Sequence, residues 1–123
     1  MIDERVKKWI IKAMEDYKTI ENEFKLSEEE IVPSAVCFHA QQFVEKILKA
    51  YLTLKGRDFG KTYNLEFLLR LYSEEDKDFD KLDVGDLTFY AADVRYPDEF
   101  YTPSLEEAKE SFEIAKQVEK DIL

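Results

Sequence analysis

The chain holds one cysteine and one histidine, and they stand two positions apart, Cys37 and His39, in the stretch CFHAQQFVEK. A thiol beside an imidazole is the pairing of a nucleophile with its base. On a helix, two positions amount to about 200° of rotation, so these side chains leave on nearly opposite faces and cannot pass a proton between them. Cys37 falls at the edge of an apolar stripe, where a thiol packs as a small apolar filler. One cysteine forms no internal disulfide, and one cysteine with one histidine falls short of the four ligands of a structural zinc site.

His39 has better matched neighbours three and seven positions on. Gln42 and Lys46 share its line along the shoulder of the helix, and Glu45 is expected one step further toward solvent beside Gln42. Such a polar ladder can line a groove, make a dimer contact or hydrogen-bond another helix. By spacing alone, Lys46 reads as a shoulder lysine that keeps its charge in water, and His39 as a structural histidine with its hydrogen bonds satisfied. The other candidate is Arg95, in DVRYPDEFY, with Tyr96 beside it and Pro97 restricting the backbone. A guanidinium held in this way could meet a phosphate or a carboxylate, or bridge to Glu45 or Asp98.

Other chemistry is not signalled. There is no glycine-rich phosphate loop, no HExxH and no GxSxG, and the carboxylates of SEEE and LEEA complement helix starts. No cofactor or metal is expected. A net charge of −10 opposes strong autonomous binding to nucleic acid, although KGR at 55–57 with Lys61 is a local basic patch. No apolar run approaches the roughly 20 residues that span a bilayer, and the charged start MIDERVKKWII is unlike a secretory leader. The expectation is a soluble cytoplasmic chain without a membrane partner.

Helices must position these groups. Val6, Trp9, Ile10, Ala13, Met14, Tyr17, Ile20 and Phe24 recur at three- and four-residue steps, which predicts a helix over about 3–25. A second helix is predicted from Pro33 or Ser34 to a stop at Gly56, with Val36, Ala40, Phe43, Val44, Ile47, Tyr51 and Leu54 as its stripe. YNLEFLLRLYSEED predicts a third, and a short helix is expected over about 86–93. The last is predicted over about 104–122, where Ser104 and Glu107 can form a capping box. With 123 residues this makes one all-α domain over 1–123, an antiparallel four-helix bundle with an additional short helix.

Three segments then assemble: FHAQQFVEKILKAYL on the second helix, GKTYNLEFLL after its loop and AADVRYPDE before the last helix. Together, and in that order, they resemble the HEPN domain over essentially the whole chain. The resemblance implies a helical bundle that forms a homodimer, frequently partnered by a minimal nucleotidyltransferase in a toxin–antitoxin module. For many members it also implies a metal-independent ribonuclease at the dimer interface, marked by an arginine and, after four to six residues, a histidine. That histidine would do acid–base work on a ribose 2′-hydroxyl while the arginine steadies the phosphate charge.

This chain departs from the pattern. Counting from Arg95, the histidine positions hold Phe100, Tyr101 and Thr102, and Tyr63 stands where relatives often carry another histidine. The residues that carry over as members of a polar groove are His39, Gln42, Glu45, Lys46 and Arg95, with Tyr96 beside the last; His39 and Arg95 are the catalytic candidates. The leading expectation is a HEPN component that binds a nucleotide or its partner protein without ribonuclease chemistry. The alternatives are a ribonuclease toxin with a displaced site built on His39, Arg95 and Lys46, and a purely structural dimeric interaction domain.

Overall fold

The computed structural model describes residues 3–62, 64–75, 87 and 102–122. Among them are four helices and no strand: α1 (Glu4–Glu23), α2 (Pro33–Leu54), α3 (Leu65–Glu75) and α4 (Leu105–Ile122). The all-α expectation holds, with boundaries within two residues of those read from capping and periodicity. Of the short helix expected over 86–93, only Leu87 is among the described residues, and it is helical and buried.

Each helix starts and stops for a local reason. Asp3 caps α1 by accepting the Arg5 N–H at 2.8 Å. α2 opens on a proline, whose missing N–H costs nothing at a first helical position. Val32, just before it, has no side-chain cap of its own, but its N–H donates to the Glu23 carboxylate at 2.7 Å. The end of α1 thereby supplies the negative charge that the start of α2 favours.

At the other end of α2, Gly56 takes a φ of +71°. Its N–H reaches the Thr53 carbonyl at 3.1 Å and the Arg57 N–H reaches Leu52 at 2.9 Å, the paired bonds of a Schellman stop. Arg57 then anchors the connection to the end of α3, reaching Glu75 at 2.9 Å and Glu74 at 2.6 Å. Those two carboxylates, Glu75 first, hold its guanidinium above the ordinary arginine range. Asn64 accepts the Phe67 N–H at 3.1 Å at the start of α3. Ser104 and Glu107 close the expected capping box at 3.0 and 3.1 Å.

α2 is the central helix, packed against α1, α3 and α4. It runs antiparallel to α1, since Glu23 meets Val32 at one end of the pair and Trp9 meets Lys49 at the other. α4 is also antiparallel to α1: Phe112 stacks on Phe24, while Ile122 shares a shallow dent with Val6 and Ile10. Between the helices, Tyr17 lies 5.0 Å from Phe43 and 5.7 Å from Phe112 by ring centroid. Burying each such large apolar side chain stabilises the fold by about 1.5–3 kcal/mol.

A helix with neighbours on three sides buries more than one stripe. From Phe43 to Ala50 every residue of α2 except Lys46 is buried, including Leu48, which lies outside the expected stripe. Leu54, expected inside, is 57% exposed, because it belongs to the last turn where the chain leaves the bundle. Cys37 is fully buried and accepts a hydrogen bond from the Ser111 hydroxyl at 3.4 Å, as a packing thiol should. No helix among the described residues is long and apolar enough to cross a membrane.

Candidate functional site

The seam between α1 and α2 carries charge into the interior. Asp16 lies between Ala13 and Ile20 on the inner side of α1 and is only 7% exposed. One of its oxygens lies 2.7 Å from His39 Nδ1 and the other accepts from Lys46 Nζ at 2.6 Å. His39 and Lys46 are seven positions apart, two turns of one helix face, so a single carboxylate from the facing helix can hold both. A carboxylate only accepts, so the imidazole hydrogen in this contact is assigned to Nδ1. The His39 side chain keeps 29% of its exposure.

A second buried ladder climbs α2 one step around. Gln41, Glu45 and Lys49 stand four residues apart and are 0, 8 and 7% exposed. Glu45 accepts from Gln41 Nε2 at 2.9 Å and from Lys49 Nζ at 3.0 Å, and Gln42 donates to the Gln41 oxygen at 2.6 Å. The Lys49 ammonium also lies 5.4 Å from the ring centre of Trp9 and 5.7 Å from that of Phe59. Glutamate N-terminal to lysine at this spacing is the favourable order on a helix, and the aromatic faces stabilise the ammonium further.

Two expectations are corrected here. Glu45 does not point to solvent; it is 8% exposed and accepts from Gln41 and Lys49, whose ammonium lies against Trp9 and Phe59, so it is a buried acceptor. Nor does Lys46 hold its charge out in water, because Asp16 draws it into the seam. Of the ladder read from the sequence, His39 and Lys46 come together on Asp16. Gln42 bonds instead to Gln41, within the cluster that contains Glu45. Arg95, Tyr96 and Tyr63 lie outside the described residues.

Asp16, Gln41 and Lys49 were not singled out from the sequence, yet each leaves a trace in it. Asp16 is an acid set among the stripe positions Ala13, Tyr17 and Ile20, and Gln41, Glu45 and Lys49 are a four-residue polar repeat on the most apolar helix. Tyr17, next to Asp16, is no acid–base candidate: burial, with Glu119 and Glu21 nearby, pushes its phenol up to about 12.

Chemically, the seam holds an imidazole oriented by a carboxylate, with an ammonium on the same carboxylate. Among the described residues, no group of three or more histidine, cysteine, aspartate and glutamate side chains is placed to hold a metal ion. A family model described as the HEPN domain matches residues 6–122. No curated protein and no solved structure matches the chain.

Proposed function

The chain belongs to the HEPN domain family, and from that premise we propose that it is the HEPN component of a HEPN and minimal-nucleotidyltransferase module of toxin–antitoxin type. In this reading it is a single-domain, cytoplasmic homodimer that binds its partner protein or a nucleotide without ribonuclease chemistry. The observation that carries the noncatalytic half is the Asp16 clamp. The sole histidine and the nearest lysine are both bound to one buried carboxylate, which offsets the positive charge that a phosphate would need to meet. The positions five to seven after Arg95 hold Phe100, Tyr101 and Thr102, none of which titrates as an imidazole does. Incubation of the full chain with single-stranded RNA in a chelator should leave the RNA intact, and the chain should co-purify with a nucleotidyltransferase of its host. Metal-independent cleavage that disappears in Arg95→Ala would overturn the noncatalytic half; absence of any such co-purifying partner would overturn the partnership.

One observation favours the ribonuclease reading instead. A carboxylate 2.7 Å from Nδ1, with the ring part-exposed, is how a general base is held in many hydrolases. Cleavage abolished by His39→Ala and weakened by Asp16→Asn would support it; RNA left intact by the unaltered chain excludes it.

A further inference from the structure

The first turns of α1 and the α2–α3 connection line an open hollow of about 960 Å³ that neither polar cluster uses. Arg5, Lys8 and Lys12, at three- and four-residue steps on α1, line it from that helix, and Arg57 lines it from the α2–α3 connection. Trp9 and Phe59 line it too, meeting edge to face with centroids 6.4 Å apart. The buried Lys49 ammonium pins these two rings from behind. Its charge is neutralised by Glu45, so the character of the hollow comes from its rim.

In a chain of net charge −10, Arg5, Lys8 and Lys12 gather three cationic side chains at this cavity, while Arg57 is already taken up by Glu74 and Glu75. Among the described lining residues the only acid is Asp58, and its carboxylate is engaged with the Gly60 N–H at 3.1 Å. Lys8 has no ion pair among the described residues. Arg5 pairs with Asp3 and Lys12 with Glu15, at 3.0 and 3.4 Å, but both pairs are exposed, and such pairs give way readily to a better anion. The volume is that of a small-molecule site, with aromatic walls and a few convergent polar groups.

We propose that this hollow binds a small ligand joining a flat aromatic ring to an anionic group, the ring against Trp9 and Phe59 and the anion against Lys8, Lys12 and Arg5. A nucleoside monophosphate and an aromatic carboxylate both have this chemistry. The proposal depends neither on the partner protein nor on the absence of ribonuclease chemistry.

Trp9 is the only tryptophan, so its emission reports the hollow directly. The full chain is titrated with adenosine monophosphate, phenylacetate and inorganic phosphate, followed by Trp9 emission and by calorimetry. At least one of the two ring-bearing anions should perturb the emission and bind ~10-fold more tightly than phosphate alone, and the tighter of the two names the source. The exposed double variant Lys8→Glu with Lys12→Glu should weaken that binding by ~10-fold, as should added salt, and Phe59→Ala should weaken it independently. Absence of binding by both ring-bearing anions would overturn the proposal, as would affinity unchanged by the charge reversal or phosphate bound equally well. A nucleotide detected only by calorimetry, silent at Trp9 and indifferent to the charge reversal, would overturn this site while leaving nucleotide binding in place.

Discussion

The Asp16 clamp makes an unequal triad, and the inequality predicts an unusual rescue. Asp16 is 9% exposed at its side chain, whereas Lys46 and His39 keep 21 and 29%. Removing the carboxylate strands two groups that can turn to water, so Asp16→Asn should cost about 1 kcal/mol, close to the net worth of one hydrogen bond. Removing both donors, His39→Ala with Lys46→Met, strands the buried carboxylate instead. A bare buried charge costs about 3 kcal/mol or more, a large fraction of the ~5–15 kcal/mol that holds a domain together. Adding Asp16→Ala to that double variant removes the stranded charge, so the triple variant should recover at least ~1 kcal/mol. In urea, with a slope of about 2 kcal/mol/M, the double variant should lose ~1.5 M in midpoint and the triple should regain ~0.5 M or more. A triple variant no more stable than the double would refute the idea that Asp16 is buried and dependent on its partners.

The same logic applies one step around α2: Lys49→Met should cost about 3 kcal/mol in urea unfolding, and Glu45→Gln added to it should restore most of that loss. Gly56→Ala should destabilise by ~1 kcal/mol in thermal unfolding; no atom lies within 4 Å of the new Cβ, so the whole cost is the left-handed backbone at φ +71°. For Tyr17 the folded pKa is raised from 10.0 to about 12. Between those values the unfolded chain has released the proton while the folded chain keeps it, so stability falls as pH rises from 10.0 to 12 and is unaffected by this group below. Tyr17→Phe should flatten that part of the stability profile, and an unchanged slope would count against the buried phenol.

Much of the fold is legible because helix ends are written locally. Asp3, Pro33, Gly56 and the Ser104–Glu107 pair each act within a few residues of where they stand, and the apolar steps between them give one face per helix. Cys37 and His39 could be separated by rotation alone, with no knowledge of what surrounds them. The grouping of FHAQQFVEK, GKTYNLEFLL and AADVRYPDE identified the family, which the family model matches over residues 6–122.

The candidate site was less legible, because which charge goes inside depends on neighbours far along the chain. His39 is completed by Asp16, 23 positions upstream, and Lys46 by the same residue, 30 positions away. No periodicity within α2 contains that information. Likewise, a wheel drawn for α2 alone places Glu45 toward water, yet it is buried and paired with Lys49, whose ammonium lies against Trp9 from one element and Phe59 from another. The hollow lined by Lys8, Lys12 and Arg57 exists only because the start of α1 faces the turn that follows α2.

The sequence by itself therefore determined the four helices among the described residues, their limits and the family, since capping, periodicity and segment order are properties of neighbouring residues. Only the tertiary structure decided that α2 is central, and this changes the electrostatics. A helix covered on three sides has almost no outer face, so its polar residues must find partners or stay stranded. The choice of Asp16 for His39 and Lys46, and of Glu45 for Gln41 and Lys49, follows from that burial.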